Sequence, residues 1–188
     1  MTTGLAASIR PLGAAQPAPW RRGLGILGGV VLGAVLLFAA WAKAIDPQAF
    51  ADQIHREGLD ALLPAGRLAL LAIALEVGLG AALLLNVRRL WVLLPAALLV
   101  AFFLFLTGRA YWRAEHGQAT DEGSCGCFGN LVQRSPAEAF WQDLGLLVPS
   151  LLLAFVGRSP GARTVPPLRS GLALLLAGGA AALAWKAP

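Results

Sequence analysis

Two cysteines, Cys125 and Cys127, are the only thiols in 188 residues, and they stand one residue apart in the stretch Cys125-Gly126-Cys127-Phe128-Gly129. Thiols so spaced can close a small disulfide ring, help to hold a metal, or fill a tight turn without chemistry. A ring closed across one residue is strained, because alpha carbons two residues apart lie near the upper end of the roughly 4.4 to 6.8 Å that a disulfide accepts. Gly126 suits such a ring, since glycine takes unusual backbone angles without a β-carbon clash. A strained, exposed disulfide is readily reduced, which fits thiol exchange. It makes a poor staple, because so short a loop removes little unfolded-chain entropy.

The other two uses stay open at this point. A closed zinc site needs four ligands, and only His116 and, from a different loop, His55 could join the thiols. No metal is therefore expected, copper being the ion that two thiolates would otherwise suit. The inert alternative treats Cys125 and Cys127 as small residues in a Gly-Cys-Phe-Gly turn. Away from the cysteines, Glu76 interrupts an apolar run near its middle, where a carboxylate costs several kcal/mol unless it is protonated, paired or hydrated. Lys43 is the nearest basic candidate to pair with it, although a lysine at a span end can equally snorkel to the interface. Asp143 is expected at the water boundary.

The elements that must position these residues are membrane helices. Hydrophobic residues make up 57% of the chain and charged residues 13%, against roughly 25% charged in an ordinary soluble domain. A net charge of +5 brings no basic stripe interleaved with aromatic residues, so nucleic-acid binding is not expected. Residues 1–22, rich in Ala, Gly, Pro and Thr, read as a disordered tail. Gly23 to Ala42 is long enough to cross a bilayer and too long for the apolar core of a cleaved signal peptide. Within it Gly25, Gly29 and Gly33 recur at every fourth position, a spacing that admits a second helix closely. Asp46 and Pro47 start a short interfacial helix that Gly58 stops. Arg67 to Asn86 and Leu90 to Thr107 are the second and third spans, joined by the Val87-Arg88-Arg89 turn. A polar loop, 108–135, carries the cysteines. Ser135, Pro136 and Glu138 then form a capping box that opens a fourth span, to Val156. A basic loop, 158–169, precedes a final apolar run, 170–188, expected to be a fifth transmembrane helix.

Charge gives the sidedness. The tail, the Arg88-Arg89 turn and the loop with Arg158, Arg163 and Arg169 hold eight basic residues and no acid, whereas the opposite loops and the C-terminus hold seven basic residues and eight acids. Cytoplasmic loops accumulate Lys and Arg. The N-terminus is therefore expected inside a bacterial inner membrane and the cysteine loop outside, where a disulfide can persist. With no thiol reachable from the inside, electrons must enter and leave on the outer side, or pass to a non-thiol acceptor such as a quinone.

Four features carry a family resemblance over Gly23 to Val156: Phe38-Ala39-Ala40-Trp41-Ala42-Lys43 followed by Asp46-Pro47 and Phe50; Leu63-Pro64; Leu75-Glu76 with Gly78; and Cys125 to Gly129 ahead of a capped helix. On these the chain resembles the MauE family of methylamine-utilisation membrane proteins and the related DoxX-like proteins. The resemblance implies an all-α, four-helix membrane bundle with a redox-associated role beside a periplasmic thioredoxin-like partner of the MauD type. In the methylamine system the matured client is the small subunit of methylamine dehydrogenase. The long stretch before Cys125 and the chain after Val156 depart from the family pattern. The expected function is disulfide exchange at Cys125 and Cys127, a thiol-disulfide oxidoreductase activity, with Gly126, Phe128 and Gly129 as the supporting motif. A membrane scaffold or chaperone, or a small-molecule transporter using Glu76, are the alternatives.

Overall fold

A computed structural model describes residues 18–61, 63–117, 134–157 and 178–179. Five helices follow one another: α1 (Pro19–Ile45), α2 (Pro47–Arg56), α3 (Ala65–Leu84), α4 (Leu90–Glu115) and α5 (Pro136–Val156). The described residues contain no strand. Four of the helices, α1, α3, α4 and α5, are long and apolar enough to cross a membrane, and less than half of each apolar window is buried within the bundle. The rest faces lipid, so this is a multi-pass helical membrane protein. The expected fifth span, 170–188, lies outside the described residues apart from Gly178 and Gly179.

Local chemistry sets the helix ends. Pro19 occupies the first turn of α1, where proline's fixed φ and missing N–H cost nothing. The helix therefore starts before the expected boundary at Gly23, taking residues 19–22 out of the expected disordered tail. Asp46 caps α2 by accepting the Ala49 N–H at 3.0 Å, and Gly58 ends it with φ of 68°. The Leu59 N–H then returns to the Ile54 carbonyl at 3.1 Å, a closure that needs a left-handed residue at Gly58. Asn86 plays the same part after α3, with φ of 61° and the Val87 N–H on the Ala82 carbonyl at 2.8 Å. Ser135 and Glu138 form the expected capping box, the Ser135 hydroxyl accepting the Glu138 N–H at 3.2 Å and the Ser135 N–H donating to Glu138 Oε2 at 2.9 Å.

Helices α3, α1, α5 and α4 pack in that order, whereas α3 and α4, neighbours in the chain, touch little. In lipid there is no hydrophobic drive to bring helices together, so close packing of small residues has to do it. Gly33 and Gly80 meet face to face, for a β-carbon on Gly33 would lie 2.8 Å from the Gly80 carbonyl oxygen and one on Gly80 would lie 2.9 Å from that of Gly33. Toward the other end of α1, Gly28 lies against Ser150 and Ala154 of α5, and Gly25 against Gly157. The expected glycine stripe thus serves two interfaces. Each four-residue step advances about 40° around a helix with 3.6 residues per turn, so Gly25 and Gly33 look toward different neighbours.

Helix α4 runs eight residues beyond the expected end at Thr107, so the connection to α5 is shorter than 108–135. Its extension is fastened on two sides. Tyr111 stacks on Phe140 of α5, ring centroids 5.7 Å apart and planes 9° from parallel. Arg109 donates to Glu57 at the end of α2, and Arg113 approaches the same carboxylate at 3.8 Å.

Candidate functional site

Cys125, Gly126, Cys127, Phe128 and Gly129 all lie in 118–133, outside the described residues. The structure describes what holds the two ends of that segment. On the α4 side, His116 caps the helix while its ring lies tilted by 31° against Trp112, centroids 4.3 Å apart, and Gly117 turns the chain with φ of 66°. On the α5 side, Arg134 donates to Gln142 Oε1 at 3.0 Å and lies 3.8 Å from Asp143 Oδ1. Asp143 is only 3% exposed, which corrects its expected place at the water boundary. Arg134 makes this burial tolerable by bringing a positive charge inward beside it.

Lys43 and Glu76 form a buried ion pair, Nζ to Oε1 at 2.7 Å, with side chains 3% and 0% exposed. Geometry explains why they meet. Lys43 is ten residues beyond Gly33 on α1, and Glu76 is four residues before Gly80 on the antiparallel α3, so their backbones differ in level by roughly 9 Å at 1.5 Å per residue. Side chains lean toward the N-terminus of their own helix. Lys43 therefore leans into the bundle and Glu76 leans toward α2, and the two long side chains close the gap. The lysine does not snorkel outward. Its ammonium also lies over two aromatic rings, 4.9 Å from the centroid of Phe103 and 5.4 Å from that of Phe50, and each such contact favours a desolvated cation.

Lys43 lines a cavity of about 270 Å³ between α2, α3 and α4. Phe50, Ile54, Leu68, Ala72, Leu99 and Phe103 give it apolar walls, and Gln53, Glu57 and Thr107 add polar atoms. The Thr107 hydroxyl is already satisfied by the Phe103 carbonyl at 3.0 Å. Glu57, held by Arg109 and Arg113, fixes the end of α2 over this space.

His55 pairs with Asp60 at 2.5 Å, His116 Nδ1 lies 2.8 Å from the Trp112 carbonyl oxygen, and no three His, Cys, Asp or Glu side chains cluster among the described residues. The His55–Asp60 contact raises the histidine above its ordinary pKa of 6.5 and lowers the aspartate below its ordinary 3.8, the hydrogen bond being the largest cause for both.

Sequence reasoning missed Glu57, Arg109 and Arg113. Arg109 and Arg113 are four residues apart, the spacing of one helix face, but ending α4 at Thr107 hid that face. The position of Glu57 beneath it is a long-range fact that no local pattern carries.

Four apolar spans, the short helix α2, and a buried lysine-glutamate pair beside a cavity define a small polytopic membrane protein. Residues 21–156 match the family of methylamine utilisation protein MauE. The match covers most of the chain, and the chain belongs to the MauE family, a family of membrane proteins in methylamine utilisation. No curated protein and no solved structure matches it.

Proposed function

We propose that the protein exchanges a disulfide between Cys125 and Cys127 and a thioredoxin-like partner on the outer face of a bacterial inner membrane, assisting the maturation of an exported client. The observation that carries this reading is that the chain's only two thiols flank Gly126 in one segment. The firm attachment of both ends of that segment, by the α4 extension and by Arg134, supports it, as does membership of the MauE family. Sidedness rests on charge: eight basic residues and no acid at one end of the spans, against seven and eight at the other, put the N-terminus and the Arg88-Arg89 turn in the cytoplasm.

In the exchange, a partner thiolate attacks one sulfur of the Cys125–Cys127 disulfide. The S–S bond breaks, the other sulfur leaves as a thiolate, and a mixed disulfide forms. The partner's second thiolate then attacks that bond, leaving the partner oxidised and Cys125 and Cys127 reduced.

Thiol trapping tests this directly. In intact cells, a membrane-impermeant maleimide labels both cysteines after mild reduction, and Cys125→Ser or Cys127→Ser leaves one thiol to accumulate a mixed disulfide with an exported protein. Labelling only after the membrane is broken, or client oxidation unchanged when both cysteines are serine, would sink the reading.

A further inference from the structure

We infer that the cavity between α2, α3 and α4 binds the head group of a membrane-soluble quinone. Its position comes first. Among the described residues the ring of helices is open where α3 and α4 touch little, and the cavity lies in that seam with α2 across it. Phe102, one of its lining residues, is 42% exposed on the surface that faces lipid. A ligand dissolved in the bilayer reaches this space without entering water.

Size and shape select the ligand further. A volume of about 270 Å³ falls just below the roughly 300 to 1,000 Å³ of drug-sized sites. It accommodates one substituted ring, with the tail left in lipid. Phe50 and Phe103 supply the flat faces against which a ring packs.

Polarity then separates a quinone from a fatty acid. Lys43 gives the cavity a cation, and an ammonium donates and does not accept. A quinone offers neutral carbonyl oxygens that only accept. The neighbouring Glu76 already balances the lysine charge at 2.7 Å, so a carboxylate entering the cavity meets a neutral pair with a buried anion behind it. Negative charge that gathers on a quinone oxygen during reduction meets the ammonium first.

The role of the quinone as electron acceptor rests on the thiol-exchange reading, whereas its binding does not. Once the partner has reduced the pair, the cycle needs an oxidant. Cys125 and Cys127 lose two protons and two electrons and form the S–S bond, while the quinone takes both electrons and, at its two oxygens, two protons to become the quinol.

The test uses the full chain in nanodiscs with decylubiquinone as probe. Saturable binding is expected above that of empty discs, with palmitate a poor competitor. Ala72→Phe, which fills the cavity, and the neutral pair Lys43→Met/Glu76→Gln should each weaken binding at least tenfold. Leu75→Phe, on the lipid face of α3, should leave it unchanged. Photolabelling of wild type with an azido-quinone should mark α2, α3 or α4, which keeps the test valid if Ala72→Phe fails to fold. Absence of saturable binding, equal competition by palmitate, labelling confined to α1 or α5, or binding indifferent to both cavity variants overturns the inference. Cys125→Ser/Cys127→Ser should bind the probe as wild type does. Failure of thiol trapping with binding intact therefore counts against the exchange reading alone, and loss of binding with trapping intact counts against the site alone.

Discussion

Glu76 is a carboxylate at the level of the hydrocarbon core, and its burial is tolerable because Lys43 reaches down to it. The pair is asymmetric in its consequences. Removing one partner leaves the other charged and alone in a medium that solvates it poorly, at a cost of about 3 to 5 kcal/mol, whereas replacing both by neutral chains of similar size is close to neutral. Lys43→Met and Glu76→Gln should each lower the thermal midpoint of the detergent-solubilised protein sharply, and the double variant should recover most of the loss. A double variant as unstable as the worse single one would mean that the pair matters beyond its charge balance. Glu76 was identifiable in advance because a carboxylate inside an apolar run needs a reason, and Lys43 because so few cations were within reach. Asp143 was misplaced because its partner, Arg134, sits nine positions earlier across a helix start, where spacing alone does not show that the arginine folds back.

At the scale of elements, α2 and the extension of α4 decide what the cavity is. Capping residues made α2 legible at both ends, and Ser135 with Glu138 did the same for α5. The extension was not legible, because hydropathy falls at Gly108 while the helix continues, held by Tyr111 on Phe140 and by Arg109 and Arg113 on Glu57. Glu57→Gln removes the charge that both arginines share. Hydrogen bonds to charged groups contribute roughly 1.5 to 3 kcal/mol; with the bonds to the amide retained in part, a loss of about 1 to 2 kcal/mol makes α2 amides exchange some five- to thirtyfold faster. Unchanged exchange would free α2 from any role as a fastened cover. The exposed His55–Asp60 contact adds a pH dependence to the same helix end. The raised histidine stabilises the turn below its ordinary 6.5 and loses that effect as pH rises through its folded value; the lowered aspartate stabilises it above its ordinary 3.8 and loses that effect as pH falls. The turn after α2 is therefore tightest between those two values. Protection of the Gly58 and Leu59 amides should peak near pH 5 and fall by pH 8, and Asp60→Asn should return the His55 titration, read from its ring proton shifts, to its ordinary position.

Taken whole, the bundle is built around α1, which packs on α3 with one part of its surface and on α5 with another, while the α3–α4 seam stays loose. Four apolar runs and a charge pattern were enough to foresee four spans, but not their order around the bundle, since hydropathy says that a helix is in lipid and nothing about its neighbour. Small residues carry that information here. Gly25, Gly29 and Gly33 were visible as a stripe, yet Gly28, whose added β-carbon would lie 2.5 Å from the Ser150 carbonyl oxygen, falls outside the repeat and is as tightly packed. This arrangement predicts a steep contrast along the spans. Gly33→Val must push α1 from α3, because backbone rather than a flexible side chain occupies the space, and overpacking of this kind costs about 1 to 3 kcal/mol. Leu75→Ala, on a side chain that is 44% exposed to lipid, removes as many carbon atoms as Gly33→Val adds and should cost little, since lipid fills the place of the lost groups. Unfolding of both variants in mixed micelles separates the cases: a midpoint drop for Gly33→Val and none for Leu75→Ala is expected, and the reverse order would show that α1 is not the centre of the bundle.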